Sequence, residues 1–157
     1  MSTDYDIFKD KELFEYLGRA LYECQRLEVS FAHIIQDLHL LAGRIQGNDL
    51  LERLQEFRKV LASKRKKPLG FLFKELRNFI PFDDTCERLL DDALEKRNNI
   101  VHHFFYNHWV AMITPAAHDV MLDDLKEGIK IICAAYDLSE NIHKHLDARM
   151  KSDTETC

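Results

Sequence analysis

The stretch Lys96-Arg97-Asn98-Asn99-Ile100-Val101-His102-His103 gathers the side chains of this chain best suited to chemistry. It sits inside an amphipathic helical pattern from about Asp84 to Tyr106. On a helical wheel at roughly 100° per residue, Cys86, Leu90, Ala93, Leu94, Ile100, Val101, Phe104 and Phe105 share one apolar arc. Arg97 falls close to the centre of that arc. A permanently charged guanidinium in a core stripe costs on the order of several kcal/mol unless it meets a partner or a ligand. Asn98 and His102 are four residues apart and share the flank of the same arc. Two outcomes follow for Arg97: a buried ion pair with a carboxylate of another helix, or a functional site completed by Asn98 and His102.

Other chemistries fit less well. His102, His103, His108 and His118 lie close in sequence, and helical bundles hold metals between helices. The di-iron pattern needs Glu-x-x-His on two helices, and the chain has that tetrad once, at Glu140-Asn141-Ile142-His143; it has no His-Glu-x-x-His. No metal and no cofactor is expected. Ser30, Ser63 and Ser139 lack the Gly-x-Ser-x-Gly setting of a nucleophile elbow. The absence of a glycine-rich phosphate loop excludes nucleotide hydrolysis of the P-loop kind.

The elements that position these residues are helices. The chain has 157 residues, enough for one domain with a proper core, with 46% apolar and 31% charged residues. Five Gly, three Pro and no alternating strand pattern imply an all-α fold, a bundle of four to five helices spanning 1–157 with frayed ends at 1–8 and 149–157. Cys24, Leu27, Phe31, Ile34, Leu38, Leu41 and Ile45 step by three and four, predicting a long first helix from about Lys11 to Ile45 with a bundle seam. Gly18 and Gly43 are its candidate bend and end. Asn48 caps a second helix through about Ala62, Leu69–Phe79 forms a short third, and Asp84 with Glu87 makes a capping box for the fourth. Thr114-Pro115 starts a last helix running to about His145. The aromatics around Trp109 are assigned to the core.

Lys64-Arg65-Lys66-Lys67 precedes Pro68 and is either a solvated loop or a contact for a nucleic-acid backbone. The net charge of −5 leaves only such a local patch, or a brief substrate encounter, for nucleic-acid binding. No run of about twenty apolar residues could span a membrane. The N-terminus lacks a signal-peptide pattern, and four scattered cysteines (Cys24, Cys86, Cys133, Cys157) suggest reduced thiols, hence a cytoplasmic protein.

Arg97-Asn98-Asn99-Ile100-Val101-His102 resembles the signature of the HEPN family, an Arg usually followed by a polar residue and then a His after a short gap. The resemblance implies a homodimeric helical bundle whose motif helices face each other across a cleft. It also implies a metal-independent endoribonuclease, a toxin or defence effector. In that chemistry Arg97 stabilises charge on the phosphorane, His102 serves as acid or base, and Asn98 orients either of them or the phosphate. His103 also satisfies the spacing and is the alternative to His102. One subfamily carries a Tyr two residues after the His as the target of a partner nucleotidyltransferase antitoxin; here that residue is Phe104. The competing expectation is a non-catalytic bundle serving as an interaction or regulatory module. Arg97 and His102 diverge by about 140° on an ideal helix. Either the Arg side chain bends out of the core, or the site is completed across a dimer.

Overall fold

The computed structural model describes residues 9–43, 55, 59, 69–110, 112, 114 and 118–155. Most of these residues are helical or in turns, and none is in a strand. The helices are α1 (Lys11–Leu41), α2 (Leu69–Leu76), α3 (Asp84–Asn98), α4 (Phe104–Asn107) and α5 (His118–Glu155), and a π-helical turn at Asn99–His103 joins α3 to α4. The all-α expectation holds, with the long N-terminal helix. The expected second helix lies outside the described residues, except that Gln55 and Lys59 are helical. Lys64, Arg65, Lys66 and Lys67 lie outside them too.

Each boundary has a local cause. Asp10 starts α1, its Oδ1 accepting the Leu13 amide at 2.9 Å. Gly43 ends it with φ +65°, a left-handed conformation that glycine enters without a side-chain clash. The cap of α3 is Asp83 rather than Asp84, because its Oδ1 accepts the Cys86 amide at 2.7 Å. Glu87 makes no capping box; instead its carboxylate binds Arg77 at 2.7 Å. Helix α2 stops at Leu76, and tighter hydrogen bonds carry the chain from there to Ile80. Helix α5 continues past His145 to Glu155, so the expected fraying from Arg149 is absent through that residue. Nothing in Asp147-Ala148-Arg149-Met150-Lys151 interrupts a helix, since it contains neither Gly nor Pro.

Contacts divide the chain into two compact units, one of residues up to Arg26 with Arg88–Ala135, the other of Leu27–Glu87 with residues from Tyr136 onward. In the first, Leu13, Leu17, Ala20 and Cys24 of α1 are buried, as are Leu90, Ala93, Ile100 and Phe104 of the α3–α4 segment. Met121, Leu122, Leu125, Ile129 and Ile132 of α5 are buried as well. In the second unit α1 buries Leu27, Phe31, Ile34, Ile35 and Leu38, while α2 buries Leu69, Leu72, Phe73 and Leu76. The Phe31 and Phe73 rings meet edge to face at 4.8 Å. Ser139 donates to the Tyr136 carbonyl at 2.6 Å, which uses its only proton, so buried Ser30 must donate across the 2.7 Å contact to Ser139. Cys24, Cys86 and Cys133 form no disulfide, and Cys24 is buried.

Candidate functional site

The site lies where regular helix gives way. Asn98, Asn99, Ile100, Val101, His102 and His103 are all weak helix formers, either β-branched or inclined to bond their own backbone. Through them the ladder widens from i→i+4 to i→i+5, and His103 leaves the helical range at φ −128°, ψ 0°. A π turn absorbs one residue without advancing the helix. Residues five apart, which would diverge by about 140°, then differ by only about 40°.

Arg97 and His102 are five apart, and they meet. Arg97 Nη1 lies 3.1 Å from His102 Nε2 and donates to Asn98 Oδ1 at 2.9 Å. The guanidinium has no acceptor atom, so the His102 Nε2 in this contact is an acceptor and the ring proton sits on Nδ1. The neutral imidazole therefore points a lone pair at a cation that is also held by an amide oxygen. This contact lies within one chain, so neither way out expected from the regular wheel is needed for the two side chains to meet.

Arg97 is half-buried rather than sunk in a core stripe, and His102 and His103 are exposed, with their rings 6.1 Å apart. The wheel also misplaces Val101 and Phe105, which are exposed, as are Tyr106 (79%) and Trp109 (63%). The core assignment for the Trp109 aromatics is thereby corrected. Phe104, which shares the apolar arc on the wheel, is buried (4% exposed). An open recess of about 220 Å³ is lined by Glu15, Tyr16 and Arg19 and by none of the motif side chains.

Around the turn stands a polar frame that sequence reasoning missed. Lys96 Nζ contacts Asp124 Oδ1 at 3.1 Å and Glu127 Oε2 at 3.2 Å. His108 Nε2 contacts Asp124 Oδ2 at 2.8 Å. Burial alone would raise the Asp124 carboxyl, but the hydrogen bonds from His108 and Lys96 outweigh it and hold the group below its usual range. Burial likewise opposes the charge of Lys96, and the two carboxylates overcome it, raising that ammonium. His118 pairs with Asp10. No group of potential metal ligands occurs among the described residues.

No family model, curated protein or solved structure matches this chain. Its chemistry must be argued from these side chains themselves. They place a fixed cation, an amide oxygen and an imidazole lone pair within hydrogen-bond reach on an accessible face, which suits an anionic ligand with a proton to lose.

Proposed function

We propose that the protein is a metal-independent endoribonuclease of the HEPN type, a toxin or defence effector acting as a homodimer in the cytoplasm. The observation that carries this reading is the Arg97–His102 contact at 3.1 Å, with Asn98 as second acceptor. As a scissile phosphate enters, the Arg97 guanidinium turns to its oxygens, a bidentate match that frees the Nε2 lone pair. His102 then takes the 2′-hydroxyl proton, the 2′-oxygen attacks phosphorus, and Arg97 holds the charge building on the phosphorane. The P–O5′ bond breaks, leaving a 2′,3′-cyclic phosphate and a 5′-hydroxyl. In-line attack puts the entering and leaving oxygens on opposite sides of phosphorus. One imidazole does not reach both. His102 of a second copy supplies the proton to the 5′-oxygen, which is the chemical reason for a dimer. His103 is the alternative base, and Lys64, Arg65, Lys66 and Lys67 are the proposed backbone-binding run.

The test is a single-stranded RNA incubated with purified protein in excess EDTA. Expected are fragments with cyclic phosphate ends, no cut where the scissile ribose is 2′-deoxy, and a loss of about 10²-fold or more in His102→Ala and Arg97→Ala. Full activity in both variants overturns the assignment. A second reading, a non-catalytic interaction module, is favoured by the exposed Phe105, Tyr106, Trp109 and Val110. It predicts no cleavage of any RNA. A nucleotidyltransferase antitoxin would find Phe104 buried and the Tyr106 hydroxyl accessible.

A further inference from the structure

We infer that Asp124 is a positioning residue: by gripping Lys96 and His108 with its two oxygens it holds the π turn, and through it the Arg97–His102 contact. The catalytic part of this inference rests on the ribonuclease reading; the structural part does not.

Lys96 immediately precedes Arg97, and His108 immediately follows α4. The segment between them contains Arg97, Asn98, the whole π turn and α4. On a regular α-helix, twelve residues come to three turns plus about 120°, so Lys96 and His108 would address different faces. With one residue absorbed in the π turn the remainder falls to about 20°, and both reach the same carboxylate. The widened turn and the two-ended grip therefore require each other. A segment that relaxed to regular helix would lose one end of Asp124 and separate Arg97 from His102 together.

Three features mark Asp124 as positioning rather than catalytic. Both of its oxygens are engaged within the protein. Its carboxyl is held low, so it stays ionised and has no proton to give. Its two partners flank the motif and include none of Arg97, Asn98 and His102. The two ends are unequal. Lys96 keeps Glu127 as a second acceptor if Asp124 is removed, so the His108 end is the one that Asp124 chiefly secures. A second contact supports the turn from below. A side chain at Gly128 would bring its Cβ to 2.9 Å from Ile100 Cδ1, so Ile100, the buried residue of the turn, packs directly on glycine backbone.

The test uses the full-length protein and two readouts. The first is nitrogen NMR of the His102 ring without RNA. Wild type should show one tautomer, with Nε2 as acceptor; Asp124→Asn, close in shape but with one acceptor oxygen replaced by a donor, should show mixed tautomers. Asp124→Glu should restore much of the wild-type spectrum, and His108→Ala should resemble Asp124→Asn. The second readout is cleavage kinetics on the single-stranded RNA. Misplacing the reacting group by about 1 Å can cost about 10²-fold, so kcat should fall roughly ten- to a hundredfold in Asp124→Asn while KM moves less than about twofold. An unchanged His102 spectrum in folded Asp124→Asn and Asp124→Ala overturns the inference. If the wild type cuts no RNA but the spectrum still responds, the ribonuclease reading fails and the positioning role stands. If RNA is cut and neither readout responds, the positioning role alone fails.

Discussion

Gly128→Ala isolates the packing under the π turn. Gly128 lies well inside α5, where Ala is favoured over Gly by about 1 kcal/mol. Opposing that gain, the new methyl would stand 2.9 Å from Ile100 Cδ1, though an ordinary 3.8 Å from Cγ1. Only one terminal methyl is in the way. The overpacking cost therefore belongs at the low end of the range, about 1 kcal/mol, comparable to turning one side chain off its rotamer. The two effects nearly cancel, and Gly128→Ala alone should change stability by less than about 0.5 kcal/mol. Ile100→Val removes the obstructing Cδ1 at a cost of about 0.5–1.5 kcal/mol. In that background Gly128→Ala should deliver its full helix gain, about 1 kcal/mol, giving a coupling of about 1 kcal/mol between the two sites. Urea unfolding of the four proteins measures this, with m-values required to stay constant. Additivity within about 0.3 kcal/mol would refute the close approach, as would a full gain from Gly128→Ala in the wild-type background.

Two further perturbations test other parts of the molecule. In the second unit a hydrogen bond to Asp37, 3.4 Å away, raises the His143 imidazole above its ordinary value despite the opposing effect of burial. The folded protein thus binds that proton more tightly than the unfolded chain. The stabilisation is fully present below the unfolded value of about 6.5 and is lost as pH rises through the raised folded one. Asp37→Asn should accordingly lower the urea midpoint more at about pH 5.5 than at about pH 9, and an equal loss at both would contradict it. Deleting Asn99 should convert the π turn to regular helix and make Arg97 and His102 four apart, still neighbours. A folded protein, changed in stability by no more than about 1 kcal/mol and retaining the His102 tautomer, is expected; loss of the fold or of that tautomer would count against the absorbed-residue account.

The long α1 was legible because its spacing of three and four puts Cys24, Leu27, Phe31, Ile34 and Leu38 in the core; Leu41 is half-buried, and Ile45 lies outside the described residues. The start of α3 was legible to within one residue, since Asp83 and Asp84 are both competent caps and only the hydrogen bond to Cys86 separates them. The π turn does not show on a wheel at roughly 100° per residue, which assumes the regularity that fails here. The signal that could have revealed it was the run of weak helix formers from Asn98 to His103, inside a segment still apolar enough to be helical. Asp124 carried no local signal at all. It is one of many acidic residues on α5, and its meaning depends on Lys96 and His108 meeting it across the sequence.

A single inserted residue accounts for the meeting of Arg97 and His102, which the regular wheel holds apart. It rotates His102 back towards Arg97, while Phe104 stays in the core and Phe105 and Trp109 are exposed. A regular helix through the same sequence would leave the charge of Arg97 near the core with His102 on another flank. The π turn instead resolves the cost of Arg97 by moving its head group to the surface, where an imidazole and an amide share it. Arg97 is then neither a sealed ion pair with these two partners nor a freely solvated cation. Both partners are neutral, so they orient its charge without cancelling it, and a phosphate diester offers the guanidinium a charged, bidentate match that neither of them supplies.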